Sequence, residues 1–401
     1  MKIVAIENFS ADAGFRNASY LKITTDEGIV GWSEYPERTV NGPLTKVIHH
    51  FGKQIIGRDP RPVGQISSVL HTTTYHAFGG LNHLAIAAIE NALLDIAGKV
   101  QGVPVYALFG GPFRTKLDLY WTHLGSYRVF NAPFFASLGL PPIETLDDFK
   151  ALAREAVSLG FKAVKTNPVT FGAPGEPPRG FNGGWRVEPG DLFVERNPSR
   201  RFIRGIVEQL EAIRDGLGED AGLMIDLAFN QRTEGLLQIA RAVEPLNLTW
   251  LEVENKDPGA LADLRRGTTT PIASLETLFG ISEFRPFIEG RSIDVSIIDV
   301  NYNGVWQSVR IATLADAYEY NIAPHNPLGD LATLQSAHFS AAIPNFRILE
   351  YRWDEAPWIK SFVTHPVEVR DGQLHLSDRP GWGADVDEEA LRAYPPKEHR
   401  R

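Results

Sequence analysis

Residues 222–226 read GLMID, and the same texture returns in LTWLE (248–252), PIASLE (271–276), DVSIID (294–299) and NIAPH (321–325). Each is a short apolar run that closes on an ionisable side chain: Asp226, Glu252, Glu276, Asp299 and His325. The steps between those ends are 26, 24, 23 and 26 residues, and a further 25 lead to Glu350 in FRILEY (346–351). Such a step holds one strand and one helix, and the intervening stretches are patterned as helices. Apolar runs separated by helices are buried parallel strands. Upstream, LDLYWTH (117–123) and FKAVKT (161–166) add two more, with His123 and Lys165 at their ends, making eight. Eight such units predict a closed barrel, in which the C-terminal ends of all strands meet at one mouth. A polar residue where a strand exits into a loop is commonplace taken singly. Six ionisable ends in step are not.

Moving outward, the interval from Lys165 to Asp226 is 61 residues, too long for one step. The excess is the Gly- and Pro-rich segment TFGAPGEPPRGFNGGWRVEPGD (170–191), read as an insertion over about 170–195 that serves substrate, subunit contacts or neither. Before the barrel, KIVAIENF (2–9), SYLKITTDEG (19–28) and IVGWSEY (29–35) read as paired strands, with a turn at Asp26-Glu27-Gly28. Helical patterns follow, notably LNHLAIAAIENALLDIAGKV (81–100), broken by Gly102-Val103-Pro104. The chain therefore divides into an α+β unit (1–116), a barrel (117–350) and a C-terminal segment (351–401) that returns to the first unit. The fold class is α/β.

Composition narrows the function classes. Hydrophobic residues make up 43% and charged residues 22% of 401, as in a soluble folded protein. The net charge is -9 and no Lys/Arg run occurs, so neither nucleic acid nor an anionic membrane is an expected partner. Cysteine is absent, which excludes disulfides, thiolate metal sites and cysteine nucleophiles. The start, MKIVAIENFS, lacks a signal-peptide core, and no run of about eighteen apolar residues occurs, so a cytoplasmic location is expected. The glycine-rich signatures of dinucleotide and ATP sites and the Gly-x-Ser-x-Gly of hydrolases are missing.

The strand ends carry the chemistry. Asp226, Glu252 and Glu276 close three consecutive strands, and three converging carboxylates repel unless a cation neutralises them. All-oxygen ligation favours a hard ion, Mg²⁺ first and Mn²⁺ second. Asp299 and His325 end the next two strands, about 5 Å apart in a sheet, so a hydrogen bond between them would orient the imidazole as a general base or acid. Lys165 and Asn167 share a face and could bind and polarise a substrate carboxylate. Glu350 could hydrogen-bond a developing oxyanion if its carboxyl is kept neutral.

On these residues the chain resembles the enolase superfamily, in its mandelate racemase branch, nearly end to end. The stretches that carry the resemblance are ENALLDIAGKVQGVPVYALFGG, KAVKTN, MIDLAFN, TWLEVE, PIASLE, IIDVNYNG and APHNPLGDLATLQSAHF. The resemblance implies a modified (β/α)₇β barrel beneath an α+β capping domain. It makes Asp226, Glu252 and Glu276 the Mg²⁺ ligands, Asp299 and His325 the catalytic dyad, Lys165 the first lysine of a Lys-x-Lys motif and Glu350 the last-strand glutamate. Arg16 and Tyr20 fall where a specificity loop of the cap would lie.

Within the branch, Lys-x-Asn and PHNPLG look most like the sugar-acid dehydratases, galactonate dehydratase especially. Three departures matter: Asn167 replaces a second lysine, Ala228 a histidine, and Val253 and Asn255 interrupt the Trp-x-Glu-Glu-Pro motif. The dyad is thereby intact while the familiar second acid/base is missing, with His123 the remaining candidate on the opposite side. The implied activity is a hydro-lyase acting on a small sugar acid through an enediolate, in a homo-oligomer. A lactone cycloisomerase, an epimerase or a metal-binding scaffold without turnover are the alternatives.

Overall fold

The computed structural model describes residues 1–37, 42–171, 178–180, 197–229 and 231–397. Most of the insertion read over 170–195 lies outside the described residues; at its edges Val169–Thr170 pairs antiparallel with Arg179–Gly180.

Three antiparallel strands, Ile3–Asp12, Asn17–Thr25 and Val30–Tyr35, open the chain, the last two joined through Gly28 at φ 78°. Helices Leu44–Ile55, Val63–Thr73 and Gly80–Gln101 complete this cap. The third helix is buried without interruption from His83 to Gly98, polar Glu90, Asn91 and Asp95 included, because it lies between the cap sheet and the barrel. Close approach is built in at Gly31, where a Cβ would sit 2.1 Å from the carbonyl of Ala92 in that helix.

The barrel has eight parallel strands. In chain order they are Lys116–Trp121, Ala163–Thr166, Gly222–Asp226, Trp250–Glu252, Ile272–Ser274, Val295–Ile298, Asn321–Pro324 and Leu349–Tyr351, each paired with its neighbour in sequence. The ring closes where the eighth strand pairs with the first and a single parallel bridge, Ile322 to Phe346, joins the seventh to the eighth. Among the described residues no helix is long and apolar enough to cross a membrane.

A plug of nine side chains fills the barrel: Tyr120, Ala163, Met224, Trp250, Ala273, Val295, Ile297, Ala323 and Ile348. Since side chains two apart share a strand face, the next inward positions above the plug are Thr122, Lys165, Asp226, Glu252, Asp299, His325 and Glu350. The chemistry thus stands on a packed apolar floor.

Buried polar groups of the cap fasten it to the barrel. Glu34 accepts the backbone N–H of Gly329 at 2.7 Å and of Ala332 at 3.1 Å, filling orphan donors at the start of helix Asp330–Ala342. Glu90 and Asn91 accept from Trp306 and Val305 at 2.9 Å each, at the start of helix Val305–Asp316. The tail returns across both units. Residues Gln373–His375 pair antiparallel with the first barrel strand, Asp95 accepts the backbone N–H groups of Trp32 and Trp382, and the Trp382 indole donates to the Trp32 carbonyl at 2.9 Å. Trp382→Ala should therefore destabilise the protein by about 3–5 kcal/mol. Denaturant midpoints compare it with the parent; an unchanged midpoint would show that the tail is dispensable.

Candidate active site

The mouth is organised around one buried ammonium. Lys165 Nζ donates to Glu252 Oε1 at 2.7 Å and lies 3.2 Å from Glu350 Oε1, over the Tyr120 ring. Burial works against its charge, but Glu252 and Glu350 hold it well above the ordinary lysine range. Glu350 also accepts Thr122 Oγ1 at 2.6 Å and the backbone N–H of Asn326 at 2.8 Å. Burial alone would raise its carboxyl; Lys165, His325, His123 and the Thr122 hydroxyl together bring it below the usual carboxylate range. Glu350 is therefore an ionised acceptor here. The neutral, donating form considered from sequence needs an anionic or apolar surrounding, and Lys165 supplies the opposite.

Across the mouth, His325 Nδ1 pairs with Asp299 Oδ2 at 2.7 Å, and the other oxygen of Asp299 accepts the Asn301 backbone N–H at 2.6 Å. The free face of the imidazole, Nε2, lies 3.2 Å from Glu276 Oε2. Burial lowers the affinity of this ring for a proton, but Glu276 and Asp299 outweigh it and carry its pKa up to about 10.

Asp226, Glu252 and Glu276 are each held above the ordinary carboxylate range, by burial first and then by neighbouring carboxylates. Asp226 Oδ1 accepts the backbone N–H of Ala228 at 2.7 Å, and Glu252 Oε2 accepts the Trp250 indole at 2.9 Å. As they stand, no three acidic or imidazole groups among the described residues already form a ligand shell, because Glu252 is turned to Lys165 and Glu276 to His325. The donor chemistry nonetheless fits a hard divalent cation: three carboxylates at the ends of adjacent strands, Glu252 and Glu276 buried and Asp226 partly so, burdened by one another's charge.

The other sequence candidates are placed differently. His123 takes φ 56° at the end of the first strand, stacks on Tyr127 at 3.8 Å and shares a 2.6 Å hydrogen bond with Asn167 Oδ1. Burial pushes its pKa down to about 3, so it is a neutral, tethered ring, and the inward position of that strand belongs to Thr122. Asn167 is committed to His123, Ser126 and the Asp226 carbonyl. Tyr20 is buried opposite Glu34 in the cap sheet, and Arg16 lies 3.8 Å from Glu34 and 3.6 Å from Glu355. Among the described residues neither has a hydrogen bond or ion pair to the Lys165–His325 cluster; both belong to a charged junction beside it. Two contributors were missed from sequence. Thr122 follows from alternation above Tyr120, and Glu254 stood in what looked like a damaged motif.

Beside the cluster lies a cavity of about 890 Å³, walled by Phe229, Gln231, Glu254, Thr277, Phe279 and Tyr302, with Gly80, Leu81 and Leu84 of the cap on its far side. Tyr302 links it to the dyad, its ring 5.9 Å from that of His325.

A capped barrel whose strand ends gather acids, a lysine and an oriented histidine defines an enzyme of the enolase-like class. Residues 14–110 match the mandelate racemase / muconate lactonizing enzyme N-terminal domain and residues 148–390 the enolase C-terminal domain-like family; the chain belongs to this family of the enolase superfamily. A D-galactonate dehydratase family member of Streptomyces bingchenggensis is 31% identical over 98% of this chain and 93% of its own. The D-mannonate dehydratase of Caulobacter vibrioides is 28% identical over 95% and 92%. Among solved structures, a candidate L-alanine-DL-glutamate epimerase from Burkholderia xenovorans is 41% identical with a TM-score of 0.94, covering 99% of both chains. A second structure under that name holds magnesium and fumarate, at 41% identity, a TM-score of 0.93 and coverage of 99% and 96%.

The geometry sets an expectation for titration. His325 is raised from 6.5 to about 10, so its contribution to stability is complete below about pH 6.5 and is lost as pH rises through about 10. In cation-free protein, NMR of the histidine rings should find His325 still protonated at pH 8, with Glu276→Gln lowering its titration point. A ring that titrates near 6.5 in both would refute the charge coupling.

Proposed function

We propose that the protein is a Mg²⁺-dependent hydro-lyase that dehydrates a sugar acid to a 2-keto-3-deoxy acid, with Asp226, Glu252 and Glu276 as the cation's ligands. The observation that carries the reading is the one-sidedness of the mouth: one oriented base, the Asp299–His325 pair, faces the carboxylate cluster. A bound cation would take up the charge of Glu276 and stabilise the substrate's carboxylate oxygens as they gain charge. Lys165 holds and polarises the same carboxylate. His325, oriented by Asp299, removes in its neutral form the proton α to it. The resulting imidazolium then protonates the β-hydroxyl as it leaves on the same face. Thr122 and Asn326 fix Glu350, which keeps Lys165 charged and in place. The dehydratase names of the relatives support this reading, and fumarate in the similar structure supports an acid ligand.

Epimerisation is the second reading, favoured by the name given to the Burkholderia xenovorans structures. It needs a proton carrier on each face of the planar intermediate. Opposite His325 stand Asn167, whose amide takes no proton at neutral pH, and His123, tethered and held at a pKa of about 3. Lys165 would have to give up a proton that two carboxylates retain.

Chelation with EDTA, or Glu276→Gln, should lower activity on the order of a thousandfold while circular dichroism shows the protein still folded. Full activity without a divalent cation would end the metal reading.

A library of aldonic and aldaric acids incubated in D₂O and followed by NMR decides the reaction. Keto-deoxy products are expected, and His325→Asn should reduce their formation about a thousandfold. Deuterated C2 epimers without keto-deoxy acid would establish the epimerase instead, and products arising only from lactones a cycloisomerase.

A further inference from the structure

Glu276 is out of phase with its strand. Ala273 lies in the barrel plug, so alternation assigns the next inward position to residue 275. Yet Leu275 is buried in the outer core, and Glu276 reaches inward to His325. The phase changes because Leu275 adopts φ 96°, a left-handed conformation that a leucine holds only where its surroundings impose it.

The surroundings are one side chain. Glu254, buried two residues beyond Glu252, accepts five hydrogen bonds from this corner. Its Oε1 takes the backbone N–H groups of Leu275 at 2.8 Å and Glu276 at 3.1 Å, with Ser274 Oγ at 3.3 Å. Its Oε2 takes the Thr277 N–H at 3.3 Å and Thr277 Oγ1 at 2.6 Å. Three successive N–H groups wrapped on one anion form a nest, an arrangement that needs a left-handed residue within it. The strand that ends in Glu252 thereby also dictates where Glu276 points.

We infer that Glu254 is a positioning residue: by accepting the N–H groups of residues 275–277 it aims the Glu276 carboxylate, and so sets cation affinity and the contact with His325. This rests on the metal site proposed above. Partners of this kind outside a ligand shell are worth about 10–100-fold in metal affinity. Glu254→Gln keeps one acceptor oxygen, and that one can still receive both the Leu275 and the Glu276 N–H groups.

The test uses Mn²⁺ as probe, with free ion quantified by EPR, on the whole chain and on Glu254→Ala, Glu254→Gln and Glu254→Asp, with melting temperatures in parallel. Glu254→Ala should weaken Mn²⁺ binding by about tenfold or more, while Glu254→Gln should retain most of the affinity. A clamp that served stability alone would lower the melting temperature and leave affinity untouched. Parent affinity in folded Glu254→Ala would overturn the proposal, as would equal losses in the Ala and Gln variants. If Glu254→Ala does not fold, Glu254→Asp decides the matter in the same way, since it keeps the charge but draws the carboxylate back from the Leu275 and Glu276 N–H groups: weakened Mn²⁺ binding in the folded variant is expected, and parent affinity would overturn the proposal. If the parent itself binds no Mn²⁺, the metal reading fails on its own. The His325 ring resonances then judge the clamp: displaced in Glu254→Ala if Glu276 has moved, and unchanged if the proposal is wrong.

Discussion

The charge of Lys165 governs the mouth of this barrel. Five acids face inward there, Asp226, Glu252, Glu276, Asp299 and Glu350, against Lys165 and His325. With all of them ionised the acids outnumber the cations by three, in surroundings where unpaired charge is costly. Lys165 bridges Glu252 and Glu350, and His325 bridges Glu276 and Asp299, so the acids are shared out between two cationic groups on opposite sides. Asp226 accepts a backbone N–H, and among the described residues it has no ion pair. The site is therefore built with an excess of negative charge, and that excess is what a divalent ion would relieve.

The apolar floor makes this distribution possible. Because Met224, Trp250 and Ala323 fill the lumen, the polar groups two residues above them cannot sink into the barrel and water cannot reach them from below. The cap meanwhile uses its own acids as fasteners. Glu34 and Glu90 each occupy the start of a barrel helix, where backbone N–H groups and the helix dipole favour a negative group. One residue type serves two ends: inside the mouth it is crowded into reactivity, and at the helix starts it is satisfied and structural.

Much of this was legible in the chain. Regular steps of 23 to 26 residues between ionisable ends gave the barrel, and pairing the ends of adjacent strands placed Asp299 against His325. What escaped was phase. Reading each strand by its last polar residue put His123 at the mouth, whereas alternation from Tyr120 selects Thr122. Glu276 was found for the opposite reason, since its inward reach depends on a left-handed leucine that no local pattern announces. Val253 and Asn255 looked like decay of a motif because the carboxylate between them acts on the backbone of another strand. Arg16 and Tyr20 were placed by position along the chain alone; Glu34 reaches both from the adjoining cap strand, while Glu355, which also faces Arg16, comes from the far end of the chain.

The ring is fastened unevenly. The seventh and sixth strands share four paired positions, while the seventh meets the eighth through one bridge at Ile322 and Phe346, reinforced by backbone bonds from Ile322 to Asn345 and from Arg347 to Ile322. That seam lies between the strands that carry His325 and Glu350. Closing the ring also requires the eighth strand to pair with the first, more than 220 residues earlier in the chain, a contact of high loop-closure entropy. His325, Lys165 and the acids are consequently a property of the finished ring: no fragment holding three or four strands brings all of them together.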